Sequence, residues 1–289
     1  MAPREDLALE KWCYLFLVKE ETMITKPKGC HDIYGKEAKN WQYVSKVIDA
    51  LCEKYNYSMI RTPIFESSEL FHRGMGDTTD VVTKETYDFQ DRGERNMTLR
   101  PEGTAGIVRS YIENKMYGNM PQPVKLYYNG TMYRYERPQS GRDRELTQFG
   151  VEVLGTDDPM ADAEVISIPV NLFKMLGLQE IKVKINSLGD KESREHYKQV
   201  LIDYLAPHIT ELCEDCQERY QKNPLRILDC KVDHESPIIE NAPKTLDYLN
   251  DQSKEHFEKV KQYLDLLDIP YEVDTKLVRG LDYYNHTVF

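Results

Sequence analysis

An α+β fold with a mainly antiparallel sheet flanked by helices is predicted by two features of the sequence. Residues 124–155 read as two strands around a polar loop, for which an antiparallel hairpin is the simplest arrangement. Elsewhere, runs with apolar residues every three or four positions alternate with short strand-like segments, so helices bury one side against a sheet. The chain has 289 residues, 40% hydrophobic and 30% charged, with a mean hydropathy of −0.64, which is the composition of a globular protein. No apolar run approaches the ~20 residues that a membrane-spanning helix needs. With 38 basic and 49 acidic residues the formal charge is −11, which argues against non-specific nucleic-acid binding but leaves room for a local basic site for RNA. Six cysteines make no secreted disulfide framework, and the first 22 residues lack the cleavage site of a signal peptide. A cytoplasmic location with reduced thiols is expected.

Each element follows in order. In WQYVSKVIDALCEKY, residues Val44, Val47, Ile48, Leu51, Cys52 and Tyr55 share one helical face. YSMIRTPIFE is a strand broken by Pro63, followed by a Gly- and Thr-rich turn, RGMGDTTD. NMTLR, PEG and TAGIVRSYIENKM form a strand-to-helix unit, with Thr104 as N-cap and Ile107, Val108, Tyr111 and Ile112 buried. Beyond the hairpin, a helix from about Ala161 to Leu176 leads into the strand IKVKINSLG. Residues 190–253 then become helical, charged and cysteine-bearing, punctuated by Pro207, Pro224, Pro237 and Pro243. SKEHFEKVKQYLDLL is a helix with Phe257, Val260, Leu264 and Leu267 on one side, and YYNHTVF reads as a strand.

The hairpin carries the richest chemistry. Strand alternation puts Gln148, Gly150 and Glu152 on one face, and Met132, Arg134 and Glu136 on one face of the partner strand. Gly150 removes a side chain between two polar groups, which would leave room for a ligand. Arg137, Arg142 and Arg144 are forked donors suited to phosphate. A solvated sheet face with a charged tip fits the same spacing. The RPEGTA turn sets Glu102 beside Gly103 before a helix N-terminus, where free amides suit an anion and a carboxylate suits an ammonium group. Simple capping explains that pattern equally.

Taken together, KPKGCHDI, IRTPIFE, LRPEGTAGIVRSYI, MYRYERPQSGRDRELTQFGVEVLG and LVRGLDYYNHTVF resemble bacterial histidyl-tRNA synthetases, from about Met23 to the last residue. The Arg-rich hairpin is similar to motif 2 of class II aminoacyl-tRNA synthetases, and RGLDYY to a segment of the histidine enzymes. The resemblance implies a class II catalytic core that uses ATP and Mg2+ to form histidyl-adenylate, then passes the histidyl group to tRNA(His). It implies Arg134 and Arg279 as the catalytic cations at the α-phosphate. Glu102, Gly103, Thr104 and Gln148 would hold the α-ammonium group of L-histidine, and Glu152 and Tyr284 its imidazole, with Tyr283 nearby. Arg142, Arg144 and Leu146 would meet ATP, Leu146 standing where the family usually has a Phe that stacks on adenine. Arg137 and Gln139 would meet the tRNA acceptor end. The segment with Pro63 resembles motif 1, which implies a homodimer.

Under the same resemblance, residues 1–22 are a leader, residues 23–189 and 254–289 the catalytic core, and residues 190–253 an insertion. The family's third motif and its anticodon-binding domain lie beyond Phe289, so this stretch by itself is expected to form little adenylate. Tyr284 reaches the ligand only if RGLDYY turns or bulges, which Gly280 permits. A non-catalytic, histidine-binding regulatory subunit of ATP phosphoribosyltransferase shares the fold and is the alternative function. The intact RPQSGRDR loop and the long insertion count against it. Inside the insertion, Cys213-x2-Cys216 and Cys230-x3-His234 have zinc-site spacing, while free thiols packed in a small core fit as well. The other histidines (His31, His72, His196, His208, His256 and His286) are scattered and read as surface or packing residues.

Overall fold

The computed structural model describes residues 24–75, 85–279 and 284–289. Residues 1–22, expected to be a leader, most of the RGMGDTTD turn, Gly280 and Tyr283 lie outside the described residues. The first helix, α1 (Gly35–Lys54), buries Ile48, Leu51 and Cys52, and Val44, Val47 and Tyr55 pack partly buried on the same side, as its periodicity predicts. Then come β1 (Ser58–Met59) and β2 (Phe65–Ser67), interrupted around Pro63, which lacks the amide a ladder needs. Next are α2 (Ser68–Met75), β3 (Tyr87–Gln90), β4 (Asn96–Leu99), α3 (Thr104–Glu113) and α4 (Met116–Asn119).

The hairpin strands β5 (Val124–Tyr133) and β6 (Glu145–Leu154) pair antiparallel along their whole length, from Val124 opposite Leu154 to Tyr133 opposite Glu145. They are followed by α5 (Pro159–Met175), β7 (Val183–Ser187), α6 (Lys191–Leu205), α7 (Glu214–Lys222), α8 (Pro237–Glu240), α9 (Asp251–Leu266), β8 (Tyr271–Val273) and β9 (Thr287–Val288). The carboxylates of Asp158 and Asp190 and the amide of Asn250 accept backbone N–H bonds at the starts of α5, α6 and α9. Among the described residues the strands form three three-stranded sheets, β1-β5-β6, β2-β4-β3 and β8-β7-β9. Only β1 with β5 and β7 with β8 run parallel there, so the mainly antiparallel α+β class holds.

Three expectations are corrected. Val108 (37% exposed) and Ile112 (60%) face outward, because α3 turns its small residues Ala105 and Gly106 inward with Ile107 and Ser110. A Cβ at Gly106 would come within 3.2 Å of the Thr62 hydroxyl, so the close approach fixes the rotation of that helix. Leu267 is 51% exposed: it is the C-cap of α9, one residue past the last turn of the buried stripe of Phe257, Val260 and Leu264. Of the strand expected in YYNHTVF, β9 covers only Thr287–Val288, paired with β7. Most of the insertion packs into one apolar cluster, which also takes in Leu188, Val278 and Val288.

Candidate active site

The site starts at the first turn of α3, whose amides have no partner within the helix. Glu102, only 5% exposed, supplies it. One carboxylate oxygen accepts the Thr104 N–H at 2.6 Å and the other the Ala105 N–H at 2.7 Å. Thr104 is therefore not the N-cap that the sequence predicts; it is the first helical residue. Its hydroxyl is free to reach across to β6, where it donates to Glu152 Oε1 at 2.7 Å. Burial pushes the Glu102 carboxyl above its ordinary range, although the two amides pull it back. Burial drives Glu152 up to about 7, helped by the charge of Glu102 and opposed by the Thr104 hydrogen bond.

Between these acids lies a residue that sequence reasoning missed. Tyr128 is opposite Gly150 in the ladder, and its ring occupies the space where a Cβ on either Gly150 or Gly103 would be. The absence of a side chain at Gly150 thus seats an aromatic ring, not a ligand. The Tyr128 hydroxyl donates to Gln148 Oε1 at 3.2 Å. Burial raises its proton affinity strongly, and Glu152, Glu102 and Tyr284 add to that, so it stays a neutral donor.

At the hairpin's open end, Arg134 donates from Nε to the Pro101 carbonyl at 2.9 Å, beside Glu102 in the chain. The arginines are arranged around Glu136, which with Arg134 lies past the end of β5 and not on the strand face that alternation predicts. Arg134 Nη1 lies 3.9 Å from its carboxylate and Arg142 Nη1 3.2 Å. Arg144 donates to the Glu136 carbonyl at 3.1 Å and stacks 4.0 Å from the centre of the Tyr135 ring. The carbonyl of Gly29 accepts the amides of Arg144 and Glu145, tying the KPKG segment to the hairpin. Leu146 sits opposite Met132, on the face that carries Gln148 and Glu152. Arg137 and Gln139 are exposed at the tip, where Gln139 bridges to Arg142.

Arg279 and Tyr284 line a cavity of about 170 Å³ shared with Arg194, Lys198 and Lys222 of the insertion. The Tyr284 carbonyl accepts from Arg194 at 2.8 Å. The site thus groups Glu102, Gly103, Thr104, Tyr128, Gln148 and Glu152 tightly, with Arg134 next to them. Arg279 and Tyr284 stand at the border with the insertion.

In the insertion itself, the donor atoms of Cys213, Cys216, Cys230 and Asp233 lie within 4.8 Å of one another. His234, expected as the fourth member, is turned out: its Nδ1 bonds the Lys231 carbonyl at 3.0 Å and its side chain is 59% exposed. One step along the chain at the end of this turn swings the side chain from the cluster to solvent, and Asp233 takes the inner place.

A class II synthetase core is what this sheet and motif 2 hairpin define. The family model for histidyl-tRNA synthetase matches residues 29–289, so the chain belongs to the histidyl-tRNA synthetase family. Histidine–tRNA ligase of Anoxybacillus flavithermus is 59% identical over 91% of this chain and 62% of its own length. That of Macrococcus caseolyticus is 58% identical over 92% of this chain and 64% of its own. The chain therefore spans a little under two thirds of these curated relatives. The crystal structure of apo S. aureus histidyl-tRNA synthetase matches with a TM-score of 0.73 and 46% identity, covering 92% of this chain and 60% of that one. A Bacillus halodurans ATP phosphoribosyltransferase regulatory subunit/histidyl-tRNA synthetase matches at 0.66, but at 21% identity it bears on the fold alone.

Proposed function

We propose that this chain carries the histidine-activating centre of a histidine–tRNA ligase. The observation that carries the reading is the pair of carboxyls linked through Thr104, the buried Glu102 at the start of α3 and the half-buried Glu152 on β6 with Gln148, next to Arg134. Glu102 and Gln148 accept from the α-ammonium group of L-histidine, and Glu152 from an imidazole N–H. The substrate carboxylate is then left facing Arg134. Its oxygen attacks the α-phosphorus of ATP, the bond to the bridging oxygen breaks, and pyrophosphate leaves. Arg134 and Arg279 stabilise the charge that builds on the phosphorus oxygens, an effect strongest where water is excluded. Arg142 and Arg144 hold the ATP phosphates, and Leu146 covers the adenine. Mg2+ carried in with ATP would screen phosphate charge, and Glu136, the carboxylate beside Arg134 and Arg142, would be the side chain to hold it. In the second step a terminal ribose hydroxyl of tRNA(His) attacks the carbonyl and AMP leaves, with Arg137 and Gln139 at the acceptor end.

A homodimer in the cytoplasm belongs to the same proposal. It is supported by the outward apolar residues Met59, Ile64, Phe65, Val108 and Ile112, on and near the motif 1 segment. Among the described residues, no helix is long and apolar enough to cross a membrane.

The test is histidine-dependent ATP–pyrophosphate exchange, measured on this chain and on one extended to the length of its relatives. Exchange in the extended protein, lost on Arg134→Lys, is the expected result. Histidine binding without any exchange would point instead to a regulatory, histidine-sensing role.

A further inference from the structure

We infer that Cys213, Cys216, Cys230 and Asp233 form a tetrahedral zinc site that staples the insertion, with the Asp233 carboxylate as the fourth ligand. Zinc bonds of about 2.3 Å to sulfur and 2.1 Å to oxygen space tetrahedral donors ~3.6–3.8 Å apart. Here Cys213 Sγ and Cys230 Sγ are 3.7 Å apart, and Cys230 Sγ and Asp233 Oδ2 are 3.6 Å apart. A disulfide would require ~2.05 Å, so the separation is that of co-ligands and not of a bond.

The two halves of the site match in sequence. Cys213-x2-Cys216 and Cys230-x2-Asp233 have the same spacing, and in the second the amide of the last residue turns back on the first sulfur. Asp233 N–H donates to Cys230 Sγ at 3.5 Å, and the Cys213 N–H donates to the Asp233 carboxylate. Such donors offset the negative charge that three thiolates and a carboxylate concentrate in one place. Cys213 is also the N-cap of α7 and Cys216 lies in its first turn, so the positive end of that helix faces the sulfurs. Asp233 is oriented by the Cys213 amide, which its Oδ2 accepts at 3.1 Å.

The surroundings suit a closed structural centre. Cys216 is 0% and Cys230 3% exposed, between Leu212 and Ile227. Three thiolates select a soft or borderline ion over Mg2+ or Ca2+, and four protein donors leave no place for a reacting water. The elements joined are short: α7 is a nine-residue helix, and Cys230 and Asp233 stand in a turn region. A metal tying them together fixes a segment that has no sheet ladder of its own.

The experiment uses the whole chain purified without chelator, with metal content measured by mass spectrometry and Co(II) exchanged for the native ion. One zinc per chain is expected, with Co(II) giving the strong visible bands of a tetrahedral thiolate site. Asp233→Ala should weaken zinc binding by at least ~10–100-fold, the range that loss of even an outer-shell partner produces, while His234→Ala keeps it. A folded wild-type chain that takes up neither added Zn(II) nor Co(II), with its cysteines fully titratable, would overturn the assignment. So would loss of metal in His234→Ala but not in Asp233→Ala. The wild-type cobalt spectrum decides even if Asp233→Ala fails to fold.

Discussion

The hairpin site and the cysteine cluster both bury acidic groups, but they solve the problem differently. Glu152 is carried by a ladder running the length of β5 and β6, while Glu102 caps the first amides of α3. The Glu152 side chain can change while the ladder stands. Cys213, Cys216, Cys230 and Asp233 are themselves what holds short turns and α7 together. The first site spends its groups on a ligand and the second on the fold. A variant in the hairpin should therefore read out in chemistry, and one in the cluster should read out in stability.

The largest effect expected is on recognition. A site built to bond a polar group rejects analogues that lack it by ~10⁴ or more, because its own groups are left unpaired. In a protein of full family length, Glu152→Ala should abolish histidine activation while ATP affinity, measured by calorimetry, stays nearly unchanged. Normal histidine binding by that variant would break the assignment of Glu152 to the imidazole.

Next comes Arg134→Lys, expected to lower pyrophosphate exchange by ~10²–10³. The ammonium keeps the charge but not the planar fork. Its melting temperature should hardly move, whereas chelation of the cluster should lower it with little direct effect on the hairpin. Equal thermal losses from the two treatments would erase the contrast drawn between the sites.

A smaller effect is tied to pH. Glu152 is raised to about 7, above an ordinary value near 4.5, so the folded state holds its proton more tightly than the unfolded state does. The stability this gives is fully present below about pH 4.5 and is lost as pH rises through about 7. Glu152→Gln should remove that slope, leaving the variant up to ~3 kcal/mol more stable than the parent at pH 8 in urea titrations. Histidine affinity should move the opposite way, falling below about pH 7 as the carboxylate is protonated. Parallel pH slopes for parent and variant would rule this out. Least of all, Leu267→Lys on the exposed end of α9 should change stability by no more than ~0.5 kcal/mol.

Much of this was legible because local rules governed it. The α1 face, the hairpin and the break at Pro63 follow from periodicity and backbone chemistry. A hydroxyl at a helix start is the usual cap signal, so Thr104 reads as the cap, whereas the capping carboxylate is that of Glu102, two residues earlier. Tyr128 was hidden because it matters only once β5 and β6 are in register; the glycine at 150 announced a gap without saying what fills it. Histidine is a commoner zinc ligand than aspartate, so the sequence points to His234 where the structure brings Asp233. The repeated x2 spacing was there to be read, but only the turn geometry chooses between neighbours.

Tyr128 between Gly103 and Gly150 also restricts the order in which these positions can change during evolution. Either glycine can acquire a side chain only after the ring has shrunk, since a Cβ at either place would overlap it. Yet shrinking the ring first removes the hydroxyl that positions Gln148 and opens a void beside Gly103 and Gly150. Each single step is harmful and only the combined change is tolerable. The three positions, far apart in sequence, should therefore be inherited as a block.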